Sequence, residues 1–282
     1  MTVASTELPG TSPPGGRVVV RRHSLLVRIT HWINVLCILV LVMSGLQIFN
    51  AHPALYLGQT SDFDRPVFSM TARNTPDGPV GETQLLGAKL NTTGFLGLSS
   101  SNGRLQARGF PSWLTIPSYQ DLATGRRWHF FFAWLFVING LVYLIASILN
   151  RHVTRDLVPT WSEIRGIGRS IFDHMRLRFD HGRRYNVLQQ LTYLAMIFVV
   201  LPLAILAGLT MSPGMNAAVP GLVDFFQGRQ TARTIHFLAA TGIVLFVFIH
   251  VVMVLISGFW NNMRSMITGR YAITAKGDDH GR

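Results

Sequence analysis

One cysteine, Cys37, in a chain of 282 residues excludes an intramolecular disulfide and a thiolate zinc site. Charge is scarce as well: charged residues make up 13% of the chain against 49% hydrophobic ones. That balance is too apolar for an ordinary water-soluble domain and indicates a membrane protein. Lysine is nearly missing, Lys89 and Lys276 being the only two among 25 basic residues. The net charge of +12 invites a nucleic-acid reading, but the arginines are spread between apolar runs with no nucleic-acid-binding motif around them. Topology-setting charge is the better account, and no nucleic-acid partner is expected.

What is present is a set of long apolar runs. Spans are expected at residues 25–49, 130–149, 187–210 and 235–259, each about 20 residues or more, as a hydrocarbon core of about 30 Å requires. The expected fold is an all-α membrane protein, a four-helix transmembrane bundle over residues 22–270. Residues 1–21 read as a disordered leader and 271–282 as a tail. The first run is too long for the apolar part of a signal peptide, so it is expected to remain as a span. Cys37, among Val, Leu and Ile, is expected to be a small buried side chain.

Arginine sets the direction. Arg17, Arg21, Arg22 and Arg28 flank the first span, eight arginines lie in the 151–186 loop, and Arg264, Arg270, Lys276 and Arg282 follow the last span. These segments belong in the cytoplasm of a bacterial inner-membrane protein, with both termini inside. The 50–127 segment then faces the periplasm. It is too long for a structureless connection, so a folded cap or a binding surface for a periplasmic partner is expected.

Histidine carries the chemistry. His236 and His250, fourteen residues apart, return to within roughly 40° of one helical face and are separated by roughly 21 Å along the axis. His31 opens the first span and His129 the second, so four imidazoles lie at two depths, as two bis-histidine haems require. Depth pairs His31 with His250 and His129 with His236. Without Cys-x-x-Cys-His, any haem is held non-covalently. His52 and His152 are the rivals at the span ends. Gly45 and Gly140 return to the faces of His31 and His129, where a porphyrin needs small neighbours. Arg126, Arg127 and Arg233 outside, with Arg22 and Arg28 inside, are cations available to haem propionates.

This pattern resembles the di-haem cytochrome b membrane subunits of nickel-iron hydrogenases, formate dehydrogenases and thiosulfate reductases. The likeness runs over roughly residues 22 to 270. It is most specific in Phe110-Pro-Ser-Trp-Leu114, Gly125-Arg-Arg-Trp-His129 and Arg264-Ser-Met-Ile-Thr-Gly-Arg-Tyr271, which look like versions paired with periplasmic molybdopterin oxidoreductases of the sulfite-oxidase type. The resemblance implies two haems b ligated by His31, His129, His236 and His250, and a periplasmic redox partner. Tyr185-Asn186-Val-Leu-Gln189 is similar to the stretch beside the quinone site in the formate dehydrogenase branch. Asn186 and Gln189, three residues apart on one helical face, also suit the polar head of a quinone on physical grounds.

The expected function is transfer of electrons between the periplasmic enzyme and membrane quinone, with His152, Asp156, Asp180 and His181 as inner-side proton candidates. Two other readings stand beside it: a stand-alone cytochrome b that oxidises a small reductant such as superoxide, and a non-redox scaffold or transporter with histidines as polar glue in contact with lipid.

Overall fold

The computed structural model describes residues 17–101, 103–150, 158–168 and 187–274. A strand, β1 (Arg17–Arg21), leads into four helices long and apolar enough to cross a membrane: α1 (Leu25–Phe49), α2 (Leu122–Leu149), α3 (Val187–Thr210) and α4 (Arg229–Ile256). The first and third match the expected bounds. The second and fourth begin earlier than their apolar runs, because a helix continues through a polar turn wherever its first N–H groups find a cap. Ahead of α2, the Asp121 carboxylate accepts from Thr124 N–H at 3.0 Å. These hydrogen bonds, first from the Thr124 backbone and then from its hydroxyl, hold the Asp121 pKa below the usual carboxylate value.

Within α3, Pro202 supplies no N–H and its ring opposes the carbonyl four residues back. The chain absorbs this with a π-helical turn at Met196–Val200 rather than by ending the helix. At Gly258, with φ +105°, α4 gives way to a short helix, α5 (Phe259–Thr268).

The helices pack as two antiparallel pairs, α1 with α2 and α3 with α4, and the two pairs approach each other sparsely. Cys37, fully buried, Val40 and Phe132 form the contact within the first pair, with Leu135 and Phe136 against them. Ala207, Ala232 and Phe226 do the same in the second. Asn139 of α2 donates to the Thr30 carbonyl at 2.8 Å and to the Asn34 amide oxygen at 2.7 Å, a polar clasp between α1 and α2 at spanning depth. Large apolar side chains such as Leu39, Leu141, Leu245 and Phe248 are exposed, as helices facing lipid require.

The segment between α1 and α2 is a folded cap. Strands β2 (Ala54–Leu55), β3 (Phe68–Thr75), β4 (Gly78–Leu85) and β5 (Ala88–Asn91) form an antiparallel sheet in that order. Strands β6 (Leu98–Ser101) and β7 (Arg104–Ala107) pair separately. The cap is tied to the helices by amides: Asn50 clasps the backbone of Phe110, and Gln47 donates to the Tyr119 carbonyl at 2.9 Å.

Arg108, only 2% exposed, organises the return to α2. Its guanidinium donates to the carbonyls of Phe110 and Ser118 and to the Thr115 hydroxyl at 2.8, 3.0 and 3.1 Å. Burial lowers its pKa from the ordinary arginine value. Arg108→Ala strands those acceptors and should destabilise the cap by about 2–4 kcal/mol. Limited proteolysis should then cut within residues 103–120, with the spans left intact.

Residues 17–21 of the expected leader pair with the start of the expected tail. β1 pairs antiparallel with β8 (Arg270–Thr274), Val20 opposite Tyr271, a β-branched and an aromatic residue of the kind that suits a paired strand.

Candidate functional site

Each expected pair of imidazoles converges between the two helix pairs. The His31 and His250 rings, from α1 and α4, have centroids 6.4 Å apart, and those of His129 and His236, from α2 and α4, lie 6.1 Å apart. All four are partly buried. Both separations would suit a metal shared by the two rings, since imidazole nitrogens about 2.0 Å from it on opposite sides would set the centroids roughly 6.3 Å apart. Among the described residues no three His, Cys, Asp or Glu side chains gather as a metal cluster. Two imidazoles therefore suffice only where a macrocycle supplies the other ligands, which is the donor set of a bis-histidine haem.

The pair nearer the cap is held by its second nitrogens. His236 Nδ1 lies 2.7 Å from the Ala204 carbonyl of α3, an acceptor, so Nδ1 carries the proton and Nε2 keeps its lone pair. His129 Nδ1 lies 3.1 Å from Ser44 Oγ of α1. The Ser44 hydroxyl donates to the Val40 carbonyl at 2.6 Å, which leaves its oxygen to accept from His129. The same tautomer results on both rings, with Nε2 of each available to a metal.

Space is kept for these rings by glycine. A Cβ at Gly208 would sit 3.1 Å from His236 Cε1, and one at Gly45 would sit 3.4 Å from His129 Cε1. Gly45 thus occupies the expected depth. At Gly140 an added Cβ would meet nothing within 4 Å, which leaves room beside α2. Ser44, the Ala204 carbonyl and Gly208 were not among the expected site residues. The small residues Ala204, Ala207 and Gly208 in an otherwise bulky α3 are the available signal, a stripe that allows close helix approach.

The cap fixes α4 against α1. Gly58 accepts at its carbonyl from the N–H groups of Gln230 and Thr231, and its own N–H donates to the Thr231 hydroxyl at 2.8 Å. Thr234 donates to the Tyr56 carbonyl at 2.7 Å. Any side chain at Gly228, where φ is +123°, would put its Cβ 2.2 Å from the Gly58 carbonyl oxygen. This seam sits within two turns of His236 and sets its height.

Arg233 lies in the same seam, one turn before His236, donating to the His52 carbonyl and resting over the Phe49 ring. His52 belongs to neither pair. Its ring stacks on Tyr56 at 5.6 Å and meets Phe63 edge-on, and burial followed by the Arg233 charge lowers its pKa. Arg127 is exposed in the first turn of α2, and Arg126 lies over Phe130. Arg28 faces away from the pairs, its Nη2 donating to the Ile267 carbonyl of α5. Gln189 is partly buried in the first turn of α3. Asn186, His152, Asp156, Asp180 and His181 lie outside the described residues.

The model of the prokaryotic cytochrome b561 family matches residues 22–269. The chain is also similar to the putative protein-methionine-sulfoxide reductase subunit YedZ1 of Azospira oryzae, at 26% identity over 234 residues that cover 82% of this chain and 89% of that protein. Four apolar spanning helices carrying paired imidazoles, together with a family match over nearly the whole bundle, show that the chain is a multi-pass, haem-binding electron-transfer protein of the prokaryotic cytochrome b561 family.

Proposed function

We propose that the chain holds two haems b, one between His31 and His250 and one between His129 and His236, and conducts electrons between membrane quinone and a periplasmic oxidoreductase. The observation that carries this reading is the meeting of four imidazoles in two pairs, both at the separation an axially ligated iron needs. Haem b supplies a one-electron iron couple when bound. The chain contributes position: α4 spaces its two histidines by about 21 Å, the Ala204 carbonyl and Ser44 orient the outer rings, and the cap holds α4 within one turn of His236. Arg233 and Arg127 are the outer cations for propionate groups. Arginine distribution places both termini in the cytoplasm of an inner-membrane protein, so the cap stands in the periplasm. Gln189, in the first turn of α3, and Asn186, three residues before it in the sequence, are the proposed contacts to the quinone head.

The name of the Azospira relative, a subunit of a protein-methionine-sulfoxide reductase, supports a reductase as the partner, and the resemblance to subunits of molybdopterin oxidoreductases supports a molybdopterin-type enzyme. Electrons would then run from quinol through the inner and outer sites to that enzyme. The cap offers the surface for it. Phe63, Leu86 and Trp113 are 74%, 78% and 67% exposed. Leu86 is held at φ +49° in the two-residue turn between β4 and β5, a place that favours Asn or Gly over a branched apolar side chain. An exposed leucine kept in a strained turn is a mark of contact rather than of stability.

The test is co-purification from membranes of the native host, followed by quinol addition. The wild type should bring down a molybdopterin subunit, and quinol should reduce the haem bands. Leu86→Asn and Trp113→Ala should leave the haem spectrum unchanged and weaken capture of the partner about tenfold each. Capture of equal amounts by both variants would remove the cap from the interface. Haem bands that do not respond to quinol would remove quinone from the account.

A further inference from the structure

At the end of the bundle opposite the cap, three arginines share a cavity. Its volume is about 460 Å³, and it is lined by Val19, Val20, Arg21, Arg28, Thr268 and Arg270. Nothing in the electron-transfer reading uses it.

The cations are placed at a cost. Arg21 and Arg270 stand directly opposite each other at the end of the β1–β8 pair, and like charges facing across strands destabilise the pairing. Arg28 sits in the first turn of α1, where the helix dipole disfavours a positive charge. The cavity lining includes no carboxylate, and none of the three arginines is ion-paired among the described residues. Arg28 gives one N–H to the Ile267 carbonyl, while its Nε is buried with no hydrogen-bond partner among the described residues. An anion in the cavity offsets all of these costs together. A tetrahedral oxyanion suits them best, because it offers several acceptors to several guanidinium donors at once.

The surroundings favour an anion anchored in the membrane. Leu25, Leu26 and Ile29 of α1 are exposed beside the cavity, and so is Val19 in its wall. Trp32 donates to the Met266 carbonyl of α5, and Trp260 of α5 is 82% exposed. Aromatic side chains of this kind mark the depth of the lipid headgroups. Away from the cavity, α5 and β8 are joined by Asn261, which exchanges two hydrogen bonds with the backbone of Ala272, at 2.9 and 3.0 Å.

We propose that Arg21, Arg28 and Arg270 form a phosphate site that holds the headgroup of an anionic phospholipid, joining β1, β8 and α5 to the foot of α1. A free phosphate shares the chemistry and is the other source. The site is independent of the haem reading except at Arg28, which sequence reasoning also offered to an inner propionate.

The experiment is calorimetric titration of the full-length, haem-loaded protein in neutral detergent with dioctanoyl phosphatidylglycerol, dioctanoyl phosphatidylcholine and inorganic phosphate in turn. Saturable binding of phosphatidylglycerol over phosphatidylcholine, not displaced by millimolar phosphate, identifies the lipid. Displacement by phosphate identifies the free anion, and either result supports the site. Arg21→Gln and Arg270→Gln should each weaken binding about tenfold. Arg264→Gln, which removes the same charge outside the cavity, should change it less than twofold. Haem absorbance should be unaltered in all three. Equal weakening by Arg264→Gln would reduce the effect to general surface charge and overturn the site, as would absence of saturable binding by either anion. Arg28→Gln that loses haem absorbance but keeps phosphatidylglycerol binding would assign Arg28 to the inner haem and break the triad. If Arg28→Gln does not accumulate, the other two substitutions decide.

Discussion

Alanine in place of His236 should leave the purified protein with roughly half of its reduced b-type absorbance, because on the proposed two-haem reading one of the two sites would lose a ligand. The expectation is specific to position. His236 is fixed by the Ala204 carbonyl and meets His129 at 6.1 Å. His129→Ala should lose the same half. His31→Ala and His250→Ala should lose the other half, and the two pairs should differ in reduction potential. His52→Ala is the control, since its ring stacks on Tyr56 and belongs to neither pair. Loss of haem from His52→Ala with retention in His129→Ala would reverse the ligand assignment.

Valine at Gly208 should have nearly as large an effect with every histidine in place. The first added carbon would already sit 3.1 Å from His236 Cε1, and the branched methyl groups leave the ring no way to hold its position against α3. Overpacking of this kind costs about 1–3 kcal/mol, or roughly a 5- to 150-fold fall in occupancy of the correctly placed ring. Gly208→Val should therefore lose haem from the outer site or convert it to a form with one protein ligand, seen as a high-spin signal. Gly45→Ala should be milder, because its Cβ would lie 3.4 Å from His129 at near-ordinary contact. Equal tolerance of both changes would mean that the rings do not need the positions they occupy here.

These two expectations differ in how they are found. The four histidines are legible in the chain because helical periodicity converts fourteen residues into one face and two depths, and span order supplies the partners. Spans α1 and α3 are legible for the same reason, as apolar runs with polar ends. Gly208 and Ser44 are not, since their importance depends on how α3 is rotated toward α4 and α2 toward α1, and one sequence does not contain relative rotation. The early starts of α2 and α4 depend on caps and on the Gly58 seam, which lie in polar sequence with no helical stripe. The cap strands hide for another reason: their Gly, Thr, Ser and Asn content reads equally well as loop. The β1–β8 pair joins residues at opposite ends of the sequence, a contact that local pattern does not encode.

The account rests on two irons, each between two imidazoles. Low-temperature electron paramagnetic resonance of the oxidised protein, with haem counted against protein in the same sample, tests it most directly. Two haems b per chain and two low-spin ferric signals are the expected result, one signal disappearing in His236→Ala and the other in His31→Ala. A single haem per chain, or a high-spin signal of wild-type protein at full haem loading, would contradict it.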